Sequence, residues 1–434
     1  MTAFEADAAA QRAASARRTV EAVWRIESAR IVATLTRAVG DFGLAEDLTQ
    51  EALLDALTQW PVGGVPVNPG AWLTAAAKRK AIDLWRRRER LDQRLSAIAA
   101  RLEEEQRLQP APPPWDPDAI DDDVLRLVFV ACHPVLAREA QIALTLRVVG
   151  GLSSEEVARA FMVPTATIQQ RIVRAKRTLA AAHVPFEVPP HDEHSARLDS
   201  VLSVVYLIFN EGYAATSGTD WMRPELAQEA LRLGRVLAAL LPGESEVHGL
   251  LALMELQASR FGARTTRTGE PIMLADQNRT RWDRGQIERG RAALRHCDRV
   301  GRGRGPYALQ AAIAEQHAIA PSAADTDWDA IVVIYEALGR IAPSSVVELN
   351  RAVAVSMATG PAAALTMVDE LTVSGTLAGY PLLPGVRGEL LLRLGRRTEA
   401  RAEFELAARL TANDRERGVL LDKARKADLH LLSD

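Results

Sequence analysis

The sequence predicts an all-α protein in three parts: two small helical domains, the second with a helix-turn-helix, and a longer C-terminal helical region of tetratricopeptide-like character. Three observations lead there. Apolar residues recur at intervals of three and four along most of the chain, the spacing that gives a helix one buried face. Proline and glycine gather in a few stretches, PVGGVPVNPG at 61–70, PAPPPWDPD at 110–118 and VPFEVPP at 184–190, which cut the helical pattern into blocks. Near the C-terminus a pattern of paired helices repeats. The divisions this predicts are a first domain at 1–107, a Pro-rich linker at 108–120, a second domain at 121–183, a joint at 184–200 and the C-terminal region at 201–434.

A chain of 434 residues has room for about three domains, and a 48% hydrophobic composition is ample for buried cores. Residues 1–183 hold 24 Lys and Arg against 23 Asp and Glu, and residues 184–434 hold 29 against 33. Bulk charge therefore argues neither for nor against a nucleic-acid partner, and only local clusters can. No apolar run approaches the roughly 20 residues a membrane helix needs. The Ala-rich start lacks the charged-then-apolar order of a secretory leader, so a cytoplasmic protein with no membrane contact is expected. Cys132 and Cys297 stand alone in helical patterns, which reads as two buried thiols rather than a metal or redox pair. No metal and no cofactor are expected.

In the first domain Val23, Ile26, Ile31, Leu35 and Val39 keep helical spacing up to Gly40. LAEDLTQEALLDALTQW at 44–60 then forms a second amphipathic helix with Leu48, Ala52 and Leu57 inward and Glu46, Asp47, Gln50 and Glu51 outward. The run 61–70 reads as neither helix nor strand. A third helix begins near Pro69, with Leu73, Ala77, Ala81 and Leu84 as its inner stripe. From Lys78 to Arg94 it carries eight Lys and Arg against three Asp and Glu. Trp72 and Trp85 lie among these cations, which include Lys78, Arg79, Lys80, Arg86 and Arg87. Cations for phosphates interleaved with rings for unstacked bases suit single-stranded nucleic acid; the other reading of each tryptophan is a core anchor.

After the linker, Val124, Leu127, Val128, Val130, Ile142, Leu144 and Leu146 supply core for the second domain. GLSSEEVARAFMVPTATIQQRIVRAKRTL at 151–179 parses as two short helices around a tight turn. Ser153 and Glu156 form a capping box, Val157 and Phe161 share a face, Met162-Val163-Pro164 stops the first helix, and Thr165 or Thr167 caps the second. Ile168, Ile172, Ala175 and Leu179 face inward at helical spacing. Gln169, Gln170, Arg171, Arg174 and Arg177 lie opposite, the layout of a helix whose first turns meet base edges while its cations hold phosphates.

Residues 20–183 resemble sigma factors of the extracytoplasmic-function type, the bacterial RNA polymerase subunits that select promoters. AEDLTQEALLDAL resembles their polymerase-clamp-binding helix, NPGAWLTAAAKRKAIDLWRRR their promoter-melting segment, and GLSSEEVARAF with TATIQQRIVRAKRTL their upstream-element reader. The resemblance implies that Asp47, Gln50 and Glu51 touch the clamp of core RNA polymerase, with a further contact to the flap. It implies that Trp72, Lys78, Arg79 and Lys80, extended by Arg86 and Arg87, meet the downstream promoter element. Gln169, Gln170, Arg171 and Arg174, flanked by Thr165, Thr167 and Arg177, would meet the upstream duplex. Family members commonly carry Asn after an Arg in the melting segment; this chain has Arg79 after Lys78, which leaves the identity of the downstream bases open.

The C-terminal half exceeds what an ordinary member needs. HDEH at 191–194 falls in the joint, with ligand types adjacent rather than one helical turn apart, so no metal site is expected there. YEALGRIAPSSVVELNRAVA at 335–354 aligns with FELAARLTANDRERGVLLDKA at 404–424 at an offset of 69, and Gly360 and Gly395 are 35 apart. A period near 34 with paired helices is the tetratricopeptide spacing, which implies a surface for a protein partner or for this chain's own domains. Two polar stretches, 209–220 and 276–285, hold Asn210, Glu211, Tyr213, Ser217, Asp276, Asn278, Arg279 and Asp283. These either bolt helices together or line a ligand or catalytic site, and Gly212 and Gly218 suggest tight turns. No nucleophile-base-orienter set is evident, so an enzyme is not expected. The whole chain resembles the sigma-factor branch with a long tetratricopeptide-like extension, which implies regulation within the chain. The rival reading is a polymerase-independent DNA-binding regulator with a ligand-sensing helical domain.

Overall fold

The computed structural model describes residues 19, 20, 23, 24, 27–89, 117–161, 163–189, 191–215, 221–267, 269–301 and 303–429. The chain divides into two compact units, Met1–Val204 and Val205–Asp434. Regular structure among the described residues is helical, apart from one isolated bridge between Thr265 and Pro271.

In the first unit, α1 (residues 27–39) buries Ile31, Val32 and Leu35. Gly40, at φ 71°, ends it. Asp41 then caps α2 (Phe42–Gly63), its carboxylate accepting from Leu44 N at 2.9 Å. α2 carries through Pro61, where an irregular stretch was expected. The proline costs one backbone bond but falls in the last turn, which buried Trp60 holds in the core and Gly64 closes by donating to the Trp60 carbonyl at 3.0 Å. α3 (Pro69–Glu89) starts on Asn68, whose side chain accepts from Ala71 N at 3.0 Å. Its inner stripe is Leu73, Ala77, Ala81 and Trp85; Leu84, expected inward, is half-buried because the larger indole takes the core position. The Trp60 and Trp72 rings meet edge to face, centroids 5.5 Å apart.

The second bundle comprises α4 (Pro117–Ala131), α5 (Arg138–Val148), α6 (Ser154–Ala160) and α7 (Thr165–Ala181). α4 starts at Pro117, inside the stretch read as linker; Pro at the start of a helix gives up no bond. Most of the linker, residues 108–116, lies outside the described residues. Ile142 is half-buried and Ala143 takes the inner position.

α8 (His191–Tyr213) occupies most of the predicted joint and contains His191 to His194, which therefore lie on a helix rather than in a linker. Gly212 is also inside α8, not at a turn. It is needed for close approach, since a Cβ there would fall 2.3 Å from the backbone nitrogen of Ala227.

The second unit continues with α9 (Pro224–Leu240), α10 (Ser245–Ala258), α11 (Arg284–Val300), α12 (Pro306–Ile319), α13 (Trp328–Ile341), α14 (Ser345–Ala358), α15 (Pro361–Ser374), α16 (Leu382–Arg393), α17 (Arg397–Leu410) and α18 (Asp414–Leu429). Successive helices pack on one another. The last three pairs begin at Trp328, Pro361 and Arg397, close to the repeat of about 34 residues read from the sequence. Gly360 at φ 124° and Gly395 at φ 76° stand in the turns of the repeat. Tyr335 and Phe404, aligned by the repeat, pack into the cores of their own helix pairs.

Candidate nucleic-acid interface

The helix-turn-helix is set by local chemistry. Ser153 N donates to Glu156 Oε2 at 2.7 Å and Glu156 N donates to Ser153 Oγ at 3.1 Å, the reciprocal box expected from the sequence. Neither Thr165 nor Thr167 caps α7. Pro164 is the N-cap, with no side-chain bond, and its carbonyl accepts from Thr167 N at 2.9 Å, which leaves both threonines inside the first turn. Val157, Ile168, Ile172, Ala175 and Leu179 are buried together. The other face presents Gln169, Gln170, Arg174 and Arg177 exposed and Arg171, Thr165 and Thr167 half-exposed. With no acidic residue on α7 to neutralise it, this face offers amides first and cations after.

On α3, Arg79 and Arg86 are exposed and Lys78 and Trp72 half-exposed; the Arg87 side chain lies outside the described residues. Trp85, 8% exposed, is a core anchor. Lys80 is tied to α2, 2.9 Å from Asp55 and 3.6 Å from Glu51. Its hydrogen bond to Asp55 holds its pKa above the ordinary lysine value, although partial burial pulls the other way. One residue expected on DNA and one expected on polymerase, Lys80 and Glu51, thus pair with each other.

On α2, Asp47 and Glu51 are exposed and Gln50 half-exposed. Glu46, expected outward, is buried at 4%. The reason is a basic clasp that sequence reading missed: Lys176 of α7 bonds Glu46 and, at 2.8 Å, Asp47, while Arg147 of α5 reaches Glu46 at 3.5 Å. Arg37 of α1 likewise reaches Asp123 of α4 at 3.2 Å. A cleft of about 480 Å³ lies beside this clasp, lined by Arg37, Asp41, Phe42, Lys176, Leu179 and Phe186 among others. Lys176 was legible as one more cation on α7; its direction was not.

The C-terminal polar residues separate. Glu211 pairs with Arg223, and Tyr213 takes bonds from Arg260 and Arg264. Arg279 is buried and donates to the carbonyl of Ala320 at 2.8 Å and to Thr326 Oγ1 at 3.2 Å. Asp283 caps α11 through Gln286 N, and Asn278 caps a short turn through Thr280 N. Asp276 is exposed, and Asn210 half-buried beside Tyr206, whose hydroxyl it contacts. Ser217 and Gly218 lie outside the described residues. Cys132 and Cys297 are free and buried, and burial pushes both thiols up to about 11, so neither is a nucleophile at neutral pH. No described helix is long and apolar enough to cross a membrane.

Residues 25–91 match the family model for sigma-70 region 2, residues 126–179 that for sigma-70 region 4, and residues 197–298 a family of unknown function, DUF6596. An uncharacterised protein of Rhizobium meliloti is 44% identical over 393 residues, 87% of this chain and 89% of its own length. A probable extracytoplasmic-function RNA polymerase sigma factor, SigI, of Mycobacterium tuberculosis is 29% identical over 171 residues, 39% of this chain and 58% of that protein. No solved structure matches. The two sigma-70 regions thus stand in order, each laid over one of the small bundles, with a long helical stretch behind them, and over its first part the chain is similar to an extracytoplasmic-function RNA polymerase sigma factor.

Proposed function

We propose that this chain is a sigma factor that binds core RNA polymerase through the exposed acids of α2, opens the downstream element with α3 and reads the upstream element with α7, while its C-terminal helical region controls when it does so. The observation that carries the DNA part is the solvent-facing row Gln169, Gln170, Arg174 and Arg177 over a fully apolar inner stripe. Arg79 and Arg86 give α3 cations of its own. Flipping a base costs a few kcal/mol, which stacking worth about 1–3 kcal/mol per base and polymerase contacts offset together. The free protein therefore binds promoters poorly. Asp47, the acid offered to polymerase, is in contact with Lys176 of the DNA-reading helix. Docking the clamp there takes a carboxylate away from α7 and ties polymerase binding to release of the upstream reader. The tetratricopeptide-like spacing of the last three helix pairs supports a protein-binding role for the extension.

The test is run-off transcription with core polymerase on a cognate promoter. Arg171→Ala with Arg174→Ala should weaken upstream binding and flatten its salt slope by up to about two; an unaltered slope removes both from the DNA face. A chain ending at Tyr213 should change transcript yield, and equal yield ends the regulatory part of the reading.

A further inference from the structure

The segment between α10 and α11 brings three arginines onto a set of aromatic rings. The Arg264 guanidinium lies 3.6 Å from the centroid of the Tyr213 ring and 5.8 Å from that of Trp221. Arg260 lies 5.7 Å from the rings of both Tyr213 and Trp282, and Arg279 4.9 Å from Trp282. Arg264 and Arg279 are buried, at 6% and 7% exposure. Their hydrogen bonds go to neutral acceptors: Arg260 to the Tyr213 hydroxyl, Arg264 to the Tyr213 carbonyl, Arg279 to main-chain carbonyls and Thr326. Among the described residues no carboxylate is bonded to any of the three. Asp325 acts on Arg279 only through space. Buried cations are ordinarily paired, and π faces replace only part of a counter-charge.

A second observation is independent of charge. The indole nitrogens of Trp221 and Trp282 and Nδ1 of His317 are buried without a hydrogen-bond partner. Both indoles belong to the same chain of ring and guanidinium contacts, and an indole N–H can only donate. Buried polar groups are rarely left unpaired, and here the unmet donors collect where positive charge collects. Arg260, Arg264 and the two indole N–H groups all ask for one thing, an acceptor with negative charge. Arg260, Tyr213 and Trp221 are only half-buried, so the cluster is not closed to solvent.

We propose that Arg260 and Arg264, with the indole N–H groups of Trp221 and Trp282, form a receptor for the oxyanion group of a small molecule, a phosphate or a carboxylate. Planar guanidiniums suit either group through paired hydrogen bonds. The rings around them exclude water and strengthen the attraction. Most of the cluster lies within the matched stretch of unknown function, residues 197–298, to which it gives a ligand chemistry. The assignment does not depend on the role in transcription.

The test uses the full chain, titrated by calorimetry and tryptophan fluorescence with inorganic phosphate and, separately, with citrate, against sodium chloride at matched ionic strength. Saturable binding of phosphate alone assigns a phosphorylated ligand, and of citrate alone a carboxylated one. Arg260→Gln should weaken the bound probe about tenfold or more, the factor for loss of one charge-assisted hydrogen bond. Should that variant fail to fold by circular dichroism, Trp282→Phe, which keeps a ring and removes the N–H, carries the same expectation. Neither probe binding beyond the chloride control overturns the proposal. So does binding that Arg260→Gln, or Trp282→Phe in its place, leaves unchanged, since the anion then sits elsewhere.

Discussion

Lys176 of α7 donates to Asp47 of α2 at 2.8 Å and shares its ammonium with buried Glu46, so the helix-turn-helix bundle is clasped to the helix that carries the exposed acids. Burial works against the charge on Lys176, and the Glu46 and Asp47 carboxylates outweigh it, raising its pKa above the ordinary 10.5. The charge is therefore held throughout the neutral range. Removing one partner strands the other. Lys176→Met and Glu46→Gln should each destabilise the first unit, and the double variant should lose less than the two together. A coupling of about 1–3 kcal/mol is expected, as for a charge-assisted bond in a partly buried site. Urea unfolding of the four proteins measures it, and additive losses would mean that the pair contributes nothing.

Ser153 and Glu156 satisfy each other's backbone donors at the start of α6. Ser153→Ala removes the acceptor for Glu156 N and should cost about 0.5–2 kcal/mol. Because α6 has only seven residues, loss of its first turn should also raise amide hydrogen exchange across 154–160. Exchange unchanged from the parent would show that packing on α7 alone holds the helix.

These two sites mark how far the sequence could be read. The capping box, the inner stripe of α7 and the repeat glycines rest on spacing within one helix or turn, which a sequence displays directly. Glu46 reads as outward in the sequence because its burial depends on Lys176 and Arg147, more than a hundred residues away in the next bundle. Trp85 displaced Leu84 from the inner stripe by size, which periodicity does not weigh. Tyr213 and Arg279 stand out in the sequence within polar stretches, but Arg260, Arg264 and Trp282 join them only through an irregular loop whose path no periodic pattern encodes.

Gly212 lies in α8 where α9 crosses it. An added methyl would fall 2.3 Å from Ala227 N and 2.9 Å from Ala227 Cα, both backbone atoms that cannot rotate away. Gly249 meets Ala308 in the same manner, at 2.7 Å from its nitrogen. Elsewhere in a helix Gly→Ala is favourable by roughly 1 kcal/mol through propensity. Here overpacking should reverse the sign, with a net loss of about 1–3 kcal/mol. Gly418, in α18 with open space around it, supplies the control and should gain stability on the same substitution. Thermal unfolding that moves all three variants upward would show that the helix crossings have slack.

His317 connects the arginine cluster to solution pH. Burial first, then the charges of Arg260 and Arg279, push its pKa from 6.5 down to about 4. Its ring packs edge to face on Trp328, centroids 5.2 Å apart, so protonation puts a charge into an apolar, already cationic site. The unfolded chain takes up this proton more readily than the folded one. Stability is thus complete above about pH 6.5 and falls as pH drops toward 4, with a slope of at most about 1.4 kcal/mol per pH unit. His317→Phe keeps the ring contact and removes the titration. Urea unfolding of the second unit, followed by tryptophan fluorescence at pH 7 and pH 5, should show a steeper acid loss for the parent than for the variant. Parallel losses would mean that His317 is protonated as easily in the fold as outside it, and the arginines beside it would then have to be screened by solvent.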